Sequence, residues 1–288
     1  MHERKCFDIK LKVYGCKGSV PHHKPTSETS CYGGNTTCLT LESEGDVLIL
    51  DAGTGILSLE KELKSKYPNY PVGIPAPVIV LSHLHLDHIA GFSTFAPVWH
   101  DEAKMSIYSF SHDERPIKEQ IFGVFKPPYW PVMTTGINVD CIPIEKGTMF
   151  NVGCFNLHPF EAAHPDNSYN FHITDGKHTV AYLVDCEVAA LDPAAYQKLI
   201  DICKDVDVIV LDASYSPEDY ETKKGWGHST YEDGVKLAHE ANCKRILFTH
   251  YSPEYSNAEI DRWRHDLESR YPGNDKFLFA KEGMELIL

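Results

Sequence analysis

The short segment Ser82–His88 contains three histidines and one aspartate within six positions. The apolar, β-branched run of residues 77–81 precedes it and is typical of a buried strand. His83 and His85 are two positions apart, so both side chains lie on the same side of an extended chain. Neutral imidazoles together with a carboxylate suit zinc, and also manganese or iron. The spacing therefore predicts a metal site at the end of this strand, rather than a histidine-rich surface turn.

Three further potential ligands stand just beyond predicted strands elsewhere in the sequence. They are His164, Asp185 and His250. Strand ends at one edge of a sheet sandwich can converge in space, and a metal site needs ligands from several such ends. Taken singly, each residue also has a structural explanation, as a turn residue or as a cap at a strand end.

A further histidine, His228, precedes a predicted helix whose capping box consists of Ser229 and Glu232. The backbone N–H groups and the dipole of a helix N-terminus favour an anion. An imidazolium there can stabilise developing charge or protonate a leaving alkoxide. We expect Asp212, at the end of another predicted strand, to orient this imidazole. The alternative is a loop histidine that packs on Trp226.

The net charge limits the partners of the protein. The chain has 288 residues and a formal net charge of −14. A surface this acidic does not attract a long nucleic-acid backbone through counterion release. A small anion can still bind at a metal site, because a local field can oppose the net charge.

The beginning of the sequence and the cysteines predict a cytoplasmic protein without a membrane segment. Residues 1–5 are polar, and no apolar run has the length of a signal core or a membrane span. The nine cysteines include no Cys-x-x-Cys pair, which fits a reducing compartment. Four of the cysteines lie near two histidines in the N-terminal part of the sequence. The cysteines are Cys6, Cys16, Cys31 and Cys38, and the histidines are His22 and His23. A structural metal there is conceivable, but the spacing is not that of a zinc knuckle.

The order of predicted elements favours one domain over residues 1–288. Strands come first and helices then intervene, and this happens twice. We expect two βα-rich halves, an α/β (α+β) arrangement in which two sheets pack face to face with helices outside. Residues 111–136 are the only long interruption, with Phe122, Phe125, Tyr129 and Trp130. These aromatics can wall a pocket, form the arm of a homodimer, or pack on the core.

The ordered set of motifs resembles the metallo-β-lactamase superfamily over residues 7–288. The set comprises Asp51, His83-x-His85-x-Asp87-His88, His164, Asp185 and His250. The resemblance implies an αββα sandwich of two mixed sheets with metals at one edge. It also implies two divalent ions, with zinc as the first candidate and manganese or iron open.

The resemblance further implies the role of each residue. His83, His85 and His164 would bind one ion, Asp87, His88 and His250 would bind the second, and Asp185 would bridge them. Asp51 would hold the histidine loop in place. An aspartate at position 185, rather than a cysteine, makes the chain similar to the two-metal hydrolases of the superfamily. In these enzymes, ions about 3.5–4 Å apart hold a hydroxide between them.

The C-terminal third is similar to the RNase Z branch and its cyclic phosphodiesterase relatives. The similarity rests on residues 227–230 and 246–253, and it implies that His228 assists phosphodiester cleavage. Only 20 residues separate His164 from Asp185, so the tRNA-gripping arm of RNase Z is absent from this region. A small, possibly cyclic, phosphodiester is therefore the expected substrate. Hydrolysis of a lactone or thioester and a non-catalytic nucleotide-binding role stay open, and a redox diiron role is disfavoured.

Overall fold

A computed structural model describes residues 8–22, 32–131 and 137–288 of the chain. The strands are β1 (Lys10–Gly15), β2 (Cys38–Ser43), β3 (Asp46–Leu50), β4 (Val78–Val80), β5 (Met105–Ser109), β6 (Val139–Pro143), β7 (Phe150–Val152), β8 (Phe155–Glu161), β9 (Tyr169–Thr174), β10 (Thr179–Leu183), β11 (Val208–Asp212), β12 (Arg245–Thr249), β13 (Phe277–Phe279) and β14 (Glu285–Ile287). The α-helices are α1 (Ile56–Lys66), α2 (Leu86–Ile89), α3 (Ala96–Trp99), α4 (Ile117–Ile121), α5 (Pro193–Ile202), α6 (Pro217–Tyr220), α7 (Tyr231–Glu240) and α8 (Asn257–Arg270).

The strands form two mixed sheets of seven strands each, and helices flank them. One sheet has the order β14-β1-β2-β3-β4-β5-β6, and the other has the order β13-β12-β11-β10-β9-β8-β7. In each sheet, one half consists of three antiparallel pairings and the other half of three parallel pairings. This architecture confirms the predicted sandwich of two mixed sheets.

The parallel strands β11 and β12 are almost entirely buried, because the facing sheet covers one of their faces and the helices cover the other. Strand β11 (Val-Ile-Val-Leu-Asp) is buried at every position, as its continuous apolar run predicts. One apolar cluster joins the facing sheets and extends beneath α7 and α8. A second cluster lies between the first sheet and helices α1 and α4. The polar residues that follow these strands therefore lie at the edge of a well-packed sandwich.

The segment 111–136 differs from the expectation of an irregular, pocket-lining loop. It contains helix α4, and residues 132–136 lie outside the described part of the chain. The side chains of Phe122 and Phe125 are buried, and Phe122 packs against Phe92 beneath the first sheet. These two rings are core residues, so of the roles that the sequence left open they take the third, packing on the core. Tyr129 is exposed.

The predicted start of α7 shifts by one residue. Thr230 and Asp233, instead of Ser229 and Glu232, form its capping box. The short helix α2 begins at Leu86 and continues as a 3₁₀ turn. Ser256 and Glu259 form the capping box of α8, and Asp192 caps α5. Among the described residues, no helix is long and apolar enough to cross a membrane.

Candidate metal centre

The residues singled out from the sequence meet at one edge of the sandwich, beyond the carboxyl ends of strands that run in the same direction. They follow or terminate β3 (Asp51), β4 (residues 83–88), β8 (His164), β10 (Asp185), β11 (Asp212) and β12 (His250). The right-handed twist and the pairing of parallel strands bring such ends together. Residues that are up to 199 positions apart in the sequence therefore lie together at this edge of the sandwich.

Two groups of potential ligand atoms lie next to each other. One consists of His83, His85, His164 and Asp185, and the other consists of Asp87, His88 and His250. Within each group, one side-chain nitrogen or oxygen of every member lies within 4.8 Å of the others. The structure therefore brings together all seven residues that the sequence predicts as ligands, in the predicted partition.

Asp185 lies between the two groups. Its Oδ1 atom is 3.9 Å from His83 Nε2 and 3.8 Å from His164 Nε2. Its Oδ2 atom is 3.0 Å from His88 Nε2 and 3.2 Å from His250 Nε2. Each carboxylate oxygen thus faces a different group, which is the arrangement expected of a bridging ligand.

The donor atoms fit divalent cations. His83 Nε2 and Asp185 Oδ2 are buried and make no hydrogen bond, which is costly for polar atoms unless another partner is present. Burial holds the pKa of His83 well below its ordinary value, so the imidazole is neutral and its lone pair is free. Burial alone would raise the pKa of Asp185, but the facing imidazoles of His250 and His88 hold it well below the usual range. A neutral imidazole nitrogen and an ionised carboxylate, as His83 and Asp185 provide, suit zinc, manganese or iron.

His85 stands at the mouth of the centre. Its side chain is 43% exposed, whereas His83 is buried. The Nε2 atom of His85 lies 2.8 Å from Asp166 Oδ2, and the backbone carbonyl of Asp166 lies 3.0 Å from His164 Nδ1. One residue thereby orients two histidines of the same group.

Asp51 is buried behind the second group. It accepts hydrogen bonds from the Ser82 backbone N–H (2.8 Å) and from the Tyr182 hydroxyl (2.7 Å). Its Oδ2 atom also lies 2.9 Å from His88 Nδ1, which leaves Nε2 of that ring directed at Asp185. The contacts match a carboxylate that fixes the ring orientation of a ligating histidine.

His228 and Asp212 form a pair beside Asp185. His228 Nδ1 lies 3.1 Å from Asp212 Oδ2 and 3.6 Å from Asp185 Oδ1. Asp212 also accepts from the backbone N–H groups of Ser229 (2.9 Å) and Cys186 (3.2 Å). Burial opposes the charged imidazole, but Asp212 and Asp185 raise the pKa of His228 to about 9. His228 is also near enough to Asp185 and His250 to form a third potential ligand group with them.

Sequence reasoning missed three residues that support the centre. Asp166 orients His85, Ser214 Oγ lies 3.1 Å from His250 Nδ1, and Glu187 binds the backbone next to His228. Asp166 lies two positions after His164 and Ser214 lies two after Asp212, so a search of strand-end turns for polar residues would have found both. No local signal indicates Glu187, because its partners are about 40 positions away in sequence.

The suggested N-terminal metal site finds no support in the described residues. Cys6, Cys31 and His23 lie outside them. Cys16 and Cys38 are buried free thiols. Within the described ranges, every group of three or more potential ligands lies at the edge that contains Asp185 and Asp87.

The fold and this edge place the chain in a known class. Residues 47–251 match the family model of the β-lactamase superfamily domain, so the chain belongs to that superfamily. Its curated relatives include the "probable metallo-hydrolase YhfI" of Bacillus subtilis, which is 26% identical over 84% of this chain and 86% of YhfI. Ribonuclease Z of Haloarcula marismortui is 19% identical over 96% of both chains.

Solved structures show the same fold. The crystal structure of YhfI, described as a metallo-β-lactamase fold protein, covers 96% of this chain and 99% of its own, with a TM-score of 0.69 and 21% identity. The structure of a diphosphatase from the PhnP family covers 96% of this chain and 97% of its own, with a TM-score of 0.64 and 19% identity. The metallo-β-lactamase fold predicted from the sequence is therefore confirmed.

Proposed function

We propose that the protein is a metal-dependent phosphodiesterase that hydrolyses a small phosphodiester at a centre of two divalent cations. The observation that carries the proposal is the position of Asp185 between two groups of ligand atoms, with the His228–Asp212 pair beside it. The relatives named metallo-hydrolase and ribonuclease Z support hydrolysis and a phosphodiester, respectively. The ion-binding residues are His83, His85, Asp87, His88, His164, Asp185 and His250, with zinc as the first candidate.

Each part of the centre has a role in this proposal. Bound divalent cations would lower the pKa of a water and offset negative charge on the phosphoryl oxygens. Asp51 fixes the ring of His88, and Asp212 holds Nδ1 of His228. The Nε2–H of the His228 imidazolium can then protonate the leaving alkoxide as the phosphorus–oxygen bond breaks. Asp212, 3.1 Å from Nδ1, favours the imidazolium that carries this proton.

The substrate is proposed to be small, such as a cyclic nucleotide or a cyclic sugar phosphate. The net charge of −14 disfavours a long nucleic acid, and the chain offers only 20 residues between His164 and Asp185 for an RNA-gripping arm. Cleavage of tRNA precursors at a rate similar to that of cyclic phosphodiesters would contradict this part of the proposal.

The His228→Ala variant tests the catalytic assignment. Loss of a general acid lowers kcat by roughly 100- to 10,000-fold, and we expect this loss for bis-p-nitrophenyl phosphate with the metal content unchanged. Treatment with EDTA should abolish the activity of the unaltered protein. Metal analysis of the same preparations separates catalysis from ion binding, since His228 also lies close to Asp185 and His250.

Four results would contradict the proposal or one of its assignments. Full activity in His228→Ala removes this residue from the mechanism, and a fall in metal content makes it a ligand. Turnover of lactones or thioesters without turnover of phosphodiesters would favour hydrolysis of another ester. Binding of nucleotides without turnover of any ester would favour a non-catalytic role.

A further inference from the structure

A large aromatic side chain is exposed beside the metal centre. The side chain of Trp226 is 55% exposed, although the chain buries most of its other large rings. It lies two positions from His228 and one from Gly227. A Cβ atom built on Gly227 would be only 2.1 Å from Cδ2 of His164, so this backbone lies directly against a proposed ligand. Trp226 therefore belongs to the rim of the centre.

The segment that carries Trp226 is held firmly by a buried carboxylate. Glu187 accepts hydrogen bonds from the backbone N–H groups of Gly225 (2.8 Å) and Gly227 (2.9 Å), which flank the tryptophan. It also accepts from the hydroxyl of Tyr220 (2.7 Å). Both glycines have positive φ angles, 83° and 89°, which a side chain would disfavour. The turn that exposes Trp226 is therefore held in one conformation by its hydrogen bonds to Glu187.

A cation lies over the same ring. The ammonium group of Lys223 is 4.5 Å from the ring centroid of Trp226 and 5.7 Å from that of Tyr215. The Tyr215 ring in turn stands edge-on to His228, with centroids 5.7 Å apart. Lys223 also lies 3.6 Å from Glu254. An aromatic surface with a positive charge therefore continues from His228 to the rim, in a chain whose net charge is negative.

We propose that Trp226 and Lys223 form a platform that binds the planar base of a nucleotide while its phosphate lies at the metal centre. Bases stack on exposed aromatic rings, and nearby cations strengthen such stacking. A preorganised platform binds without the cost of ordering a loop. This inference rests on the proposed function and names its substrate class as a base-bearing phosphoester. It gives Trp226 the ring-binding role that was one of the roles left open for residues 111–136.

Calorimetric titration of the zinc-loaded protein with AMP and with ribose 5-phosphate tests the platform. The two ligands share the sugar phosphate and differ in the base. We expect AMP to bind about tenfold more tightly than ribose 5-phosphate. In Trp226→Leu this difference should vanish while the affinity for ribose 5-phosphate is unchanged, and Trp226→Phe should keep most of it. The matched control is Tyr129→Leu, which removes an exposed ring of segment 111–136 and should leave both affinities unaltered.

Several outcomes would overturn the platform. They are equal affinities in the unaltered protein, a difference that survives in Trp226→Leu, a difference that is lost in Tyr129→Leu instead, and absence of binding by both ligands. Hydrolysis of glycerophosphoethanolamine, a phosphodiester without a planar ring, separates this inference from the proposed function. Hydrolysis without base discrimination overturns the platform alone. Base discrimination without hydrolysis of any phosphodiester overturns the proposed function and leaves the platform standing.

Discussion

Three residues of the metal centre adopt a backbone conformation that non-glycine residues rarely adopt. The φ angles are 58° for Asp51, 49° for Asp185 and 59° for His250. Asp51 and His250 directly follow a buried strand, and Asp185 lies two positions after one, so each turn directs its side chain back toward the sheet edge. Such strain costs on the order of 1–3 kcal/mol per residue and persists where the surrounding structure imposes it, typically at functional sites. The three angles are independent support for a function at this edge.

At the residue scale, Asp51→Asn should weaken metal binding without removing a proposed ligand. The amide NH₂ group would face either the Ser82 N–H in place of Oδ1, or the Tyr182 hydroxyl and His88 in place of Oδ2. With the negative charge also lost, the orientation of His88 would relax. Loss of such an orienting carboxylate typically costs roughly 10- to 100-fold in metal affinity, which competition with a chelator measures. Tyr182→Phe removes only one donor to Asp51 and should cost less. Unchanged affinity in Asp51→Asn would contradict this role.

At the scale of elements, the backbone of the turn 225–228 packs directly against a residue of the metal centre. Gly225 and Gly227 both have positive φ angles, but only at Gly227 would an added Cβ atom meet another part of the molecule. Around Gly225, a Cβ atom would meet nothing within 4 Å. The two glycines therefore form a matched pair that separates conformational cost from contact with His164.

Gly227→Ala should lower both stability and metal affinity, whereas Gly225→Ala should lower stability alone. The left-handed conformation costs each alanine roughly 1–2 kcal/mol. In Gly227→Ala the added methyl group would also push against His164 and Pro165. Urea unfolding of the metal-free variants and zinc titration would measure the two effects. Equal zinc affinities for the two variants would show that the contact with His164 is unimportant.

The elements also show what local sequence can specify. Asp185 and His250 were predictable because each follows a continuous apolar run, and the polarity change marks the strand end. The start of α7 was not predictable, because the sequence offers two overlapping capping boxes one residue apart. Tertiary contacts decide between them: Ser229 Oγ donates to the Cys186 carbonyl and accepts from the Val188 N–H, so Thr230 becomes the cap.

Long-range packing explains the other differences. The burial of Phe122 depends on Phe92, about 30 positions away, and on the short helix α4. The clamp of Glu187 depends on backbone groups of a distant turn. Neither contact leaves a periodic pattern in the sequence, so both become visible only when the two sheets have packed. The extent of the domain, 1–288, stays a prediction.

At the scale of the whole molecule, the metal ions should contribute to stability. Without them, Asp87 and Asp185 are buried carboxylates among imidazoles. His83 Nε2 and Asp185 Oδ2 are then buried without a hydrogen bond. Free zinc at about 100 times its Kd stabilises a folded protein by roughly 2.7 kcal/mol. For a protein of this size, that corresponds to an increase in Tm of roughly 5–10 °C. Calorimetry with zinc and with EDTA should show this difference, and an Asp185→Asn variant should show little. Identical Tm values in the unaltered protein would contradict the prediction.

The number of metal ions per chain tests the proposed centre itself. After removal of metal with a chelator, reloading with zinc and dialysis, elemental analysis should find two zinc ions per chain. The Asp185→Ala variant should retain fewer than one, because Asp185 faces both groups of ligands. One zinc or none in the unaltered protein, or two in Asp185→Ala, would contradict a two-metal centre bridged by this carboxylate.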